Sequence, residues 1–257
     1  AIASTTSATQ ALETDSEQLP VDETSKIVNP NFSEGTNGWT VNTGKIEVKA
    51  ATSDNPVVTA YGYQVNISQH ITGLTPGTYI LKVQACSRYK DGASGISDYE
   101  TKKKNGTAIP NEAYIFANGE EQKIKNIYEE TSTYDFYNNC EKKDQISASD
   151  ITMSNGEQIP YDSSNFSYAF GTLGMYENEL EFTVAENGAA TIGIKNELSG
   201  SSYKPYIAYD NFRLYRISEA PVTPVDPPVG PDEPDQPDQP AVPTGPVELS
   251  NIHTPAG

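Results

Sequence analysis

Tyrosine is the most frequent aromatic residue in this sequence, with sixteen tyrosines against one tryptophan. A tyrosine ring offers an apolar face on which the C–H groups of a sugar ring can pack, and its hydroxyl keeps a polar partner. Planar polar side chains can bond the sugar hydroxyls. The candidates on outward strand faces or loops are Tyr61, Tyr63, Gln84, Arg88, Tyr89, Tyr99, Tyr114, Tyr203 and Tyr206. For each tyrosine, cross-strand packing is the competing interpretation.

Residues suited to catalysis are scarce. His70 and His253 are the only histidines, and His253 follows a proline-rich stretch near the C-terminus. A Ser-His-Asp triad, a Cys-His pair or a histidine-rich zinc site therefore cannot be assembled within residues 27–217. Two facing carboxylates would be enough for a glycosidase, and acidic residues are abundant. Because residues 27–217 have the size of an appended module, we predict no enzymatic activity.

Charge and hydropathy exclude two classes of partner. The formal net charge is −18, and more than half of it lies outside residues 27–217. The basic run within that range, residues 102–104, is too short to follow a phosphate backbone. No stretch approaches the roughly 18 apolar residues that a membrane-spanning helix needs. We therefore predict neither nucleic-acid binding nor membrane insertion.

Short runs of alternating apolar and polar residues recur through residues 27–217. Turn residues separate them, as in Thr-Pro-Gly at residues 75–77 and Glu-Asn-Gly at residues 186–188. Such turns commonly join antiparallel strands. In one run the alternation assigns a single strand face to Tyr79, Leu81, Val83 and Ala85. The pattern predicts an all-β fold, an antiparallel β-sandwich.

Residues 87–174 follow this pattern less well and are rich in Tyr, Asn, Ser, Lys and Gly. Two apolar runs, at residues 113–117 and 123–127, predict strands. A short helix is predicted at residues 162–170, because Asp162 or Ser163 could cap it. We predict long loops for the rest, and long loops in a compact domain are often functional.

Both ends of the chain differ from the middle. Residues 1–26 are mostly Ser, Thr, Ala and acidic residues, which predicts a disordered leader like the region after a removed export signal. Proline recurs among Asp and Glu in residues 218–246, which predicts an extended linker. Residues 247–257 would begin a following segment. This organisation predicts a secreted or cell-surface protein tethered to another domain.

Cys86 and Cys140 are the only cysteines. In an exported protein they could form a disulfide that closes a long excursion of the chain. The alternative is two separate thiols, with Cys86 packed inside a strand. The spacing leaves both alternatives open.

Three stretches, in this order, resemble carbohydrate-binding modules of the galactose-binding-like jelly-roll type. The first is Ile-Val-Asn-Pro-Asn-Phe at residues 27–32, followed by Asn-Gly-Trp at residues 37–39. The second is residues 67–79, a strand, turn and strand around Thr-Pro-Gly-Thr-Tyr. The third, Ala-Tyr-Asp-Asn-Phe-Arg-Leu-Tyr at residues 208–215, resembles the closing strand. Modules of this kind are appended to secreted polysaccharide hydrolases and are common in Bacteroidetes surface proteins.

The resemblance implies a non-catalytic module that targets a tethered partner domain to polysaccharide, with xylan or another plant glycan as the expected ligand. It also implies that Trp39 packs at the mouth of the core. A structural or adhesion spacer of a surface protein, which binds protein rather than glycan, is the alternative because a fold does not determine function. Gathering of the candidate tyrosines in one concave strip would favour glycan, and scattering would favour the spacer.

A structural calcium ion between the entry and closing strands is also implied by the resemblance. Asp210 matches the closing-strand carboxylate, and Asn31, Ser33 and Glu34 lie where the entry segment supplies oxygen ligands. Calcium prefers such oxygen ligands. The alternative for Asp210 is a bond to neighbouring amides.

Overall fold

The computed structural model describes residues 19–49, 55–62, 64–197 and 205–220. The strands are β1 Val21–Asp22, β2 Thr40–Thr43, β3 Glu47–Lys49, β4 Val57–Tyr61, β5 Val65–Ile71, β6 Gly77–Arg88, β7 Ala113–Ala117, β8 Glu120–Lys123, β9 Lys125–Asn126, β10 Glu177–Val184, β11 Ala190–Asn196 and β12 Tyr206–Glu219. The helices are α1 Gly92–Asn105 and α2 Ser163–Gly171.

The strands form two sheets. Sheet A has the order β10-β6-β12-β4-β3, with β1 added to β12 and β9 added to β6, and sheet B has the order β2-β5-β11-β7-β8. All pairs are antiparallel except β6 with β9. This arrangement confirms the predicted all-β sandwich.

An apolar core fills the space between the two sheets. It includes Tyr79, Leu81, Val83 and Ala85, the strand face predicted from alternation. Trp39 stacks on Phe32 at 5.1 Å, and its indole N–H donates to the Asn29 carbonyl at 3.0 Å. Only 8% of Trp39 is exposed. The predicted packing role of this tryptophan agrees with that position.

A second apolar cluster covers the outer face of sheet A. Sheet A contributes strand residues such as Cys86 and Ala208. The segments packed on that face contribute Ile96, Tyr128, Phe136 and Phe166. We call α1 together with residues 127–176 the covering layer. The predicted long loops are present, since residues 130–162 are irregular apart from two short 3-10 helices, but they bury apolar side chains and pack as a third layer,.

Of the two helices in the covering layer, one was predicted from the sequence and the other was not. Helix α2 confirms the prediction at residues 162–170, with Asp162 accepting from the backbone N–H of Asn165. Helix α1 was not predicted. Its buried residues are Gly95, Ile96 and Tyr99, too few for a clear helical stripe,.

The sandwich begins earlier than the predicted boundary at residue 27. Val21 pairs with Arg216, and the Thr24 hydroxyl accepts from the Leu214 backbone N–H at 3.0 Å. Strand β4 pairs only with residues 206–209 of β12, so β1 covers an edge that would otherwise be open,. Residues 1–18 of the predicted leader, residues 221–246 of the predicted linker and residues 247–257 lie outside the described residues.

Cys86 and Cys140 are both buried and are not bridged. Cys86 lies on β6 within the second cluster. The Cys140 thiol donates to Asp162 Oδ2 at 3.0 Å. The structure therefore agrees with the second alternative, two separate thiols, and not with a disulfide.

Tyr209 provides a first testable prediction. Its side chain is fully buried between the sheets, and its hydroxyl has no hydrogen-bond partner among the described residues. A desolvated, unpaired hydroxyl costs stability, so Tyr209→Phe should leave the free energy of unfolding unchanged or raise it by about 1 kcal/mol. Urea denaturation measures this change. A loss above about 1 kcal/mol would mean that the hydroxyl has a partner, whereas the control Tyr79→Phe should be destabilising because the Tyr79 hydroxyl donates to the Thr75 carbonyl at 2.8 Å.

Candidate functional site

Three predicted candidates lie side by side across sheet A. Tyr61 on β4 is in register with Tyr206 on β12, and Tyr206 is in register with Arg88 on β6. Directly opposed residues of antiparallel strands project from the same face, here the outer face of sheet A. The ring centroids of Tyr61 and Tyr206 are 6.4 Å apart, and the Arg88 guanidinium carbon lies 4.7 Å from the Tyr206 centroid. Strand pairing thus assembles this row from three distant parts of the chain.

The row lines a cleft of about 610 Å³. Lys45, Glu47 and Lys49 line it from β3 and the residues before it, and the covering layer contributes Glu141, Lys142, Tyr161, Asp162 and Ser163. The Arg88 guanidinium carbon lies 5.3 Å from the Tyr161 ring centroid. We call this site the tyrosine cleft, defined by Tyr61, Arg88, Tyr161 and Tyr206. Sequence reasoning missed Tyr161, whose one signal is its place directly before the helix cap Asp162.

The three rings of the tyrosine cleft are not equally accessible. Tyr61 is 44% exposed, whereas Tyr206 is 9% exposed and stacks on Phe166 of α2 at 5.5 Å. Tyr161 is half-buried. Tyr61 is therefore the aromatic ring that a ligand can reach. Tyr206 packs against the Arg88 guanidinium.

The carboxylates of the cleft are held by hydrogen bonds. Asp162 accepts from the Cys140 thiol, the Ser164 hydroxyl and the backbone N–H groups of Lys142 and Asn165. Burial raises the pKa of Asp162, but these bonds outweigh burial and the net pKa is lowered. A glycosidase needs a general acid whose pKa is raised. Asp162 is therefore unsuited to that role.

Three other candidates are interior residues. Tyr89 is 1% exposed and donates its hydroxyl hydrogen to Asp98, and Tyr99 is 4% exposed and packs on Tyr128 at 5.2 Å. The Gln84 amide donates to the Phe170 carbonyl at 2.7 Å, which fastens α2 to sheet A. These side chains are covered because the covering layer folds over the sheet.

The remaining candidates lie elsewhere. Tyr114 is half-buried on β7 of sheet B, where the ammonium groups of Lys123 and Lys195 lie 5.6 and 5.4 Å from its ring centroid. Tyr63 and Tyr203 lie outside the described residues. Of the nine candidates, the structure thus brings together Tyr61, Arg88 and Tyr206.

The residues implied in calcium binding differ in environment. Asp210 is fully buried, and neither carboxylate oxygen has a hydrogen-bond partner of ordinary geometry among the described residues. Burial raises its pKa to about 8, against smaller lowering effects of the Asn211 backbone N–H and the Asn55 amide. A buried carboxylate with such weak hydrogen bonding could accept a cation when it is ionised.

The entry-segment residues are arranged differently from Asp210. Asn31, Ser33 and Glu34 lie at the surface and bond within their own segment, with Asn31 Oδ1 accepting from the Ser33 N–H and Glu34 Oε2 accepting from the Asn37 amide. The segment still touches the closing strand, because the Phe212 N–H donates to the Pro30 carbonyl at 3.0 Å. Among the described residues, no three His, Cys, Asp or Glu side chains are grouped to hold a metal. Asp210 is therefore the member of this set whose environment fits a cation.

No protein-family model and no curated protein matches the chain. Among solved structures, it is similar to a CBM61 module in complex with β-1,4-galactotriose, with 14% identity over 74% of this chain and 97% of that chain and a TM-score of 0.36. It is also similar to the CBM22-1 xylan-binding domain from Paenibacillus barcinonensis, with 13% identity over 74% and 92% and a TM-score of 0.31. A third is a putative sugar binding protein from Bacteroides thetaiotaomicron, with 11% identity over 73% and 92% and a TM-score of 0.28.

The first two are carbohydrate-binding modules, the class that the sequence motifs resemble. The β-sandwich fold is established by the strand pairing itself. Within the described part of the chain, no helix is long and apolar enough to cross a membrane.

Proposed function

We propose that this chain is a non-catalytic carbohydrate-binding module whose tyrosine cleft holds a polysaccharide, such as xylan or another plant glycan. The observation that carries this proposal is the in-register row of Tyr61, Tyr206 and Arg88, which lines a cleft walled by Tyr161. The exposed ring of Tyr61 can pack against the C–H face of a sugar, while polar groups beside it can bond hydroxyls. Of the five candidate tyrosines that the structure describes, only Tyr61 and Tyr206 meet in the cleft, so support for glycan binding over a spacer role comes from the cleft itself and not from a gathered strip of tyrosines.

The cleft favours binding over catalysis for a specific reason. Its buried carboxylate, Asp162, caps α2 and has a lowered pKa. Asp91 is likewise engaged, since its Oδ1 accepts from the Gly92 N–H at 3.0 Å. Asp162 therefore does not supply the carboxyl group that stays protonated near neutral pH, as glycoside hydrolysis requires,.

Calcium, tethering and export belong to the same proposal. The orphaned carboxylate of Asp210 supports a structural calcium site, with Asn31, Ser33 and Glu34 as the ligands that the resemblance implies. Strand β12 includes residues 218 and 219 of the predicted linker, so the Pro/Asp-rich residues 221–246 support a tether to a catalytic or surface domain, which would raise the local concentration of that domain on the glycan,. Such a role belongs to a secreted or cell-surface protein.

Affinity electrophoresis of the full chain tests the function. The gels would contain xylan, mixed-linkage glucan, mannan, pectin or mucin, and we expect at least one polysaccharide to retard the wild type. Tyr61→Ala should weaken that binding by about 1–2 kcal/mol, roughly tenfold, because it removes the accessible ring. Migration should be compared on a gel without polysaccharide.

Tyr114→Ala is the matched control for Tyr61→Ala, since it removes a half-exposed tyrosine from the other sheet. We expect it to bind as the wild type does. Loss of binding in Tyr114→Ala alone would move the site to sheet B. Free migration of the wild type through the whole panel would overturn the glycan function and favour the spacer role.

A further inference from the structure

The guanidinium of Arg88 is held rigidly but is incompletely paired. It lies between the rings of Tyr161 and Tyr206 at 5.3 and 4.7 Å, and only 6% of Arg88 is exposed. Its one acidic partner among the described residues is Asp91, with Nη2 to Oδ1 at 3.4 Å. The buried Nε has no hydrogen-bond partner within the described part of the chain. A guanidinium carries five N–H donors in a planar fork, and the contact with Asp91 is made by Nη2, so the Nη groups rather than the buried Nε retain donors for a ligand in the cleft,.

The charged residues that line the tyrosine cleft balance formally, with four cations (Lys45, Lys49, Arg88 and Lys142) and four carboxylates (Glu47, Asp91, Glu141 and Asp162). The acidic groups are largely engaged, because Asp162 accepts four hydrogen bonds and Glu47 pairs with Lys49 at 2.8 Å. Glu141 lies exposed at the rim. In the described ranges, Lys45 and Lys142 line the cleft without an ion pair of their own. Both oxygens of Asp162 are therefore occupied by hydrogen bonds, whereas the ammonium groups of Lys45 and Lys142 remain free to approach an anion bound at Arg88.

We propose that the tyrosine cleft recognises a uronic acid, the carboxylate-bearing sugar unit of an acidic polysaccharide. Arg88 pairs with the carboxylate and Tyr61 packs against the sugar ring. Arginine and carboxylate match in planar geometry, and burial between two rings fixes the orientation of the guanidinium in advance. This inference rests on the proposed glycan-binding function and specifies its ligand class.

The net charge of −18 opposes an acidic polymer only at long range. At physiological ionic strength, interactions between exposed charges are largely screened beyond about 8 Å. The pair formed in the cleft is short and partly desolvated, so it is screened much less. Local pairing should therefore dominate recognition at about 0.15 M salt.

The test compares each acidic polysaccharide with its own carboxyl-reduced form, in which every uronic acid has become a neutral sugar on the same backbone. Polygalacturonate, alginate and glucuronoxylan serve as the acidic polymers, and the full chain is used. We expect the acidic form of at least one to bind about tenfold more tightly than its reduced form. That preference should shrink as sodium chloride rises, because the attraction is electrostatic.

Two variants locate the preference. Arg88→Gln should abolish it while leaving the residual affinity for the reduced polymer, and circular dichroism shows whether this variant remains folded. Lys142→Gln changes an exposed residue, so it should reduce the preference several-fold without changing stability. Lys104→Gln, an exposed lysine of α1, is the matched control and should retain the full preference.

Each other result overturns the inference in a distinguishable way. Equal binding of acidic and reduced polymers in all three pairs would reject the uronic acid and leave the glycan function intact. An acid preference that survives both Arg88→Gln and Lys142→Gln would place the recognition outside the tyrosine cleft. Failure to bind any polymer, including the neutral panel, would overturn the glycan function as well.

Discussion

Asp210→Asn is expected to remove a fall in stability that the wild type shows as the pH rises from about 4 to about 8. Burial raises the pKa of Asp210 to about 8 in the folded protein, whereas the pKa of an unfolded aspartate is about 3.9,. Between these values the folded state holds a proton that the unfolded state has released. The free energy of unfolding therefore decreases with pH through this window and levels off above it. The total loss is of the order of several kcal/mol.

Urea denaturation at a series of pH values between 4 and 9, with a chelator present, measures this effect. Asparagine has nearly the same shape as aspartic acid but does not titrate, so the variant should lack this part of the pH dependence. Glu181→Gln, which removes an exposed carboxyl from β10, should leave the wild-type slope intact. The same slope in wild type and Asp210→Asn would show that Asp210 is ionised in the folded protein.

Calcium should change this pH dependence if Asp210 is a ligand. A cation binds the ionised carboxylate, so added calcium should stabilise the wild type, and the gain should grow as the pH rises toward 8. Asp210→Asn should gain less. Absence of any calcium effect on the wild type at pH 8 would reject the metal and leave Asp210 as a buried neutral acid.

Asn178→Ala is expected to destabilise the protein by about 3–5 kcal/mol. The Asn178 amide is buried, donates to the carbonyls of Val83, Ala85 and Tyr176, and accepts from the Lys125 N–H at 2.8 Å. Alanine would remove all four of these bonds, although the Tyr176 carbonyl would keep the bond that it accepts from the Ala85 N–H at 2.9 Å. Such a loss is a large part of the total stability of a domain, which is about 5–15 kcal/mol.

Chemical denaturation again measures the free energy of unfolding, at a pH where titration of Asp210 contributes little to the difference between variants. Glu181→Ala is the control on the same strand and should change the free energy of unfolding by less than about 0.5 kcal/mol. Asn178→Asp should be at least as damaging as Asn178→Ala, because a carboxylate would face carbonyl oxygens. A loss below about 1 kcal/mol in Asn178→Ala would mean that water replaces the amide.

The covering layer shows where local signals were sufficient and where they were not. Helix α2 could be predicted because Asp162 caps it and apolar residues follow closely. Helix α1 could not, since Gly92 and Gly95 weaken its propensity and only two of its apolar side chains are buried,. At Gly95 a Cβ atom would lie 2.3 Å from the Tyr128 hydroxyl oxygen and 2.6 Å from the Lys90 carbonyl oxygen. That close approach depends on tertiary packing, which no local pattern reports.

The sequence by itself determined the class of fold and the inventory of the candidate site. Alternation along strands such as β6 has a local cause, the two-residue period of a strand, and so it can be read without a structure. The residue types suited to a sugar, including Tyr61, Arg88 and Tyr206, can be read directly from the sequence.

The tertiary structure alone decided which candidates meet. Tyr61, Arg88 and Tyr206 come together through the register of three strands that are far apart in the chain, and register is a property of the whole sheet,. Tyr89 and Tyr99 are excluded because the covering layer buries them. Side-chain burial, strand register and the set of charged residues around Arg88 all depend on contacts between distant segments of the chain. A local sequence pattern reports only on residues that are close together in the chain.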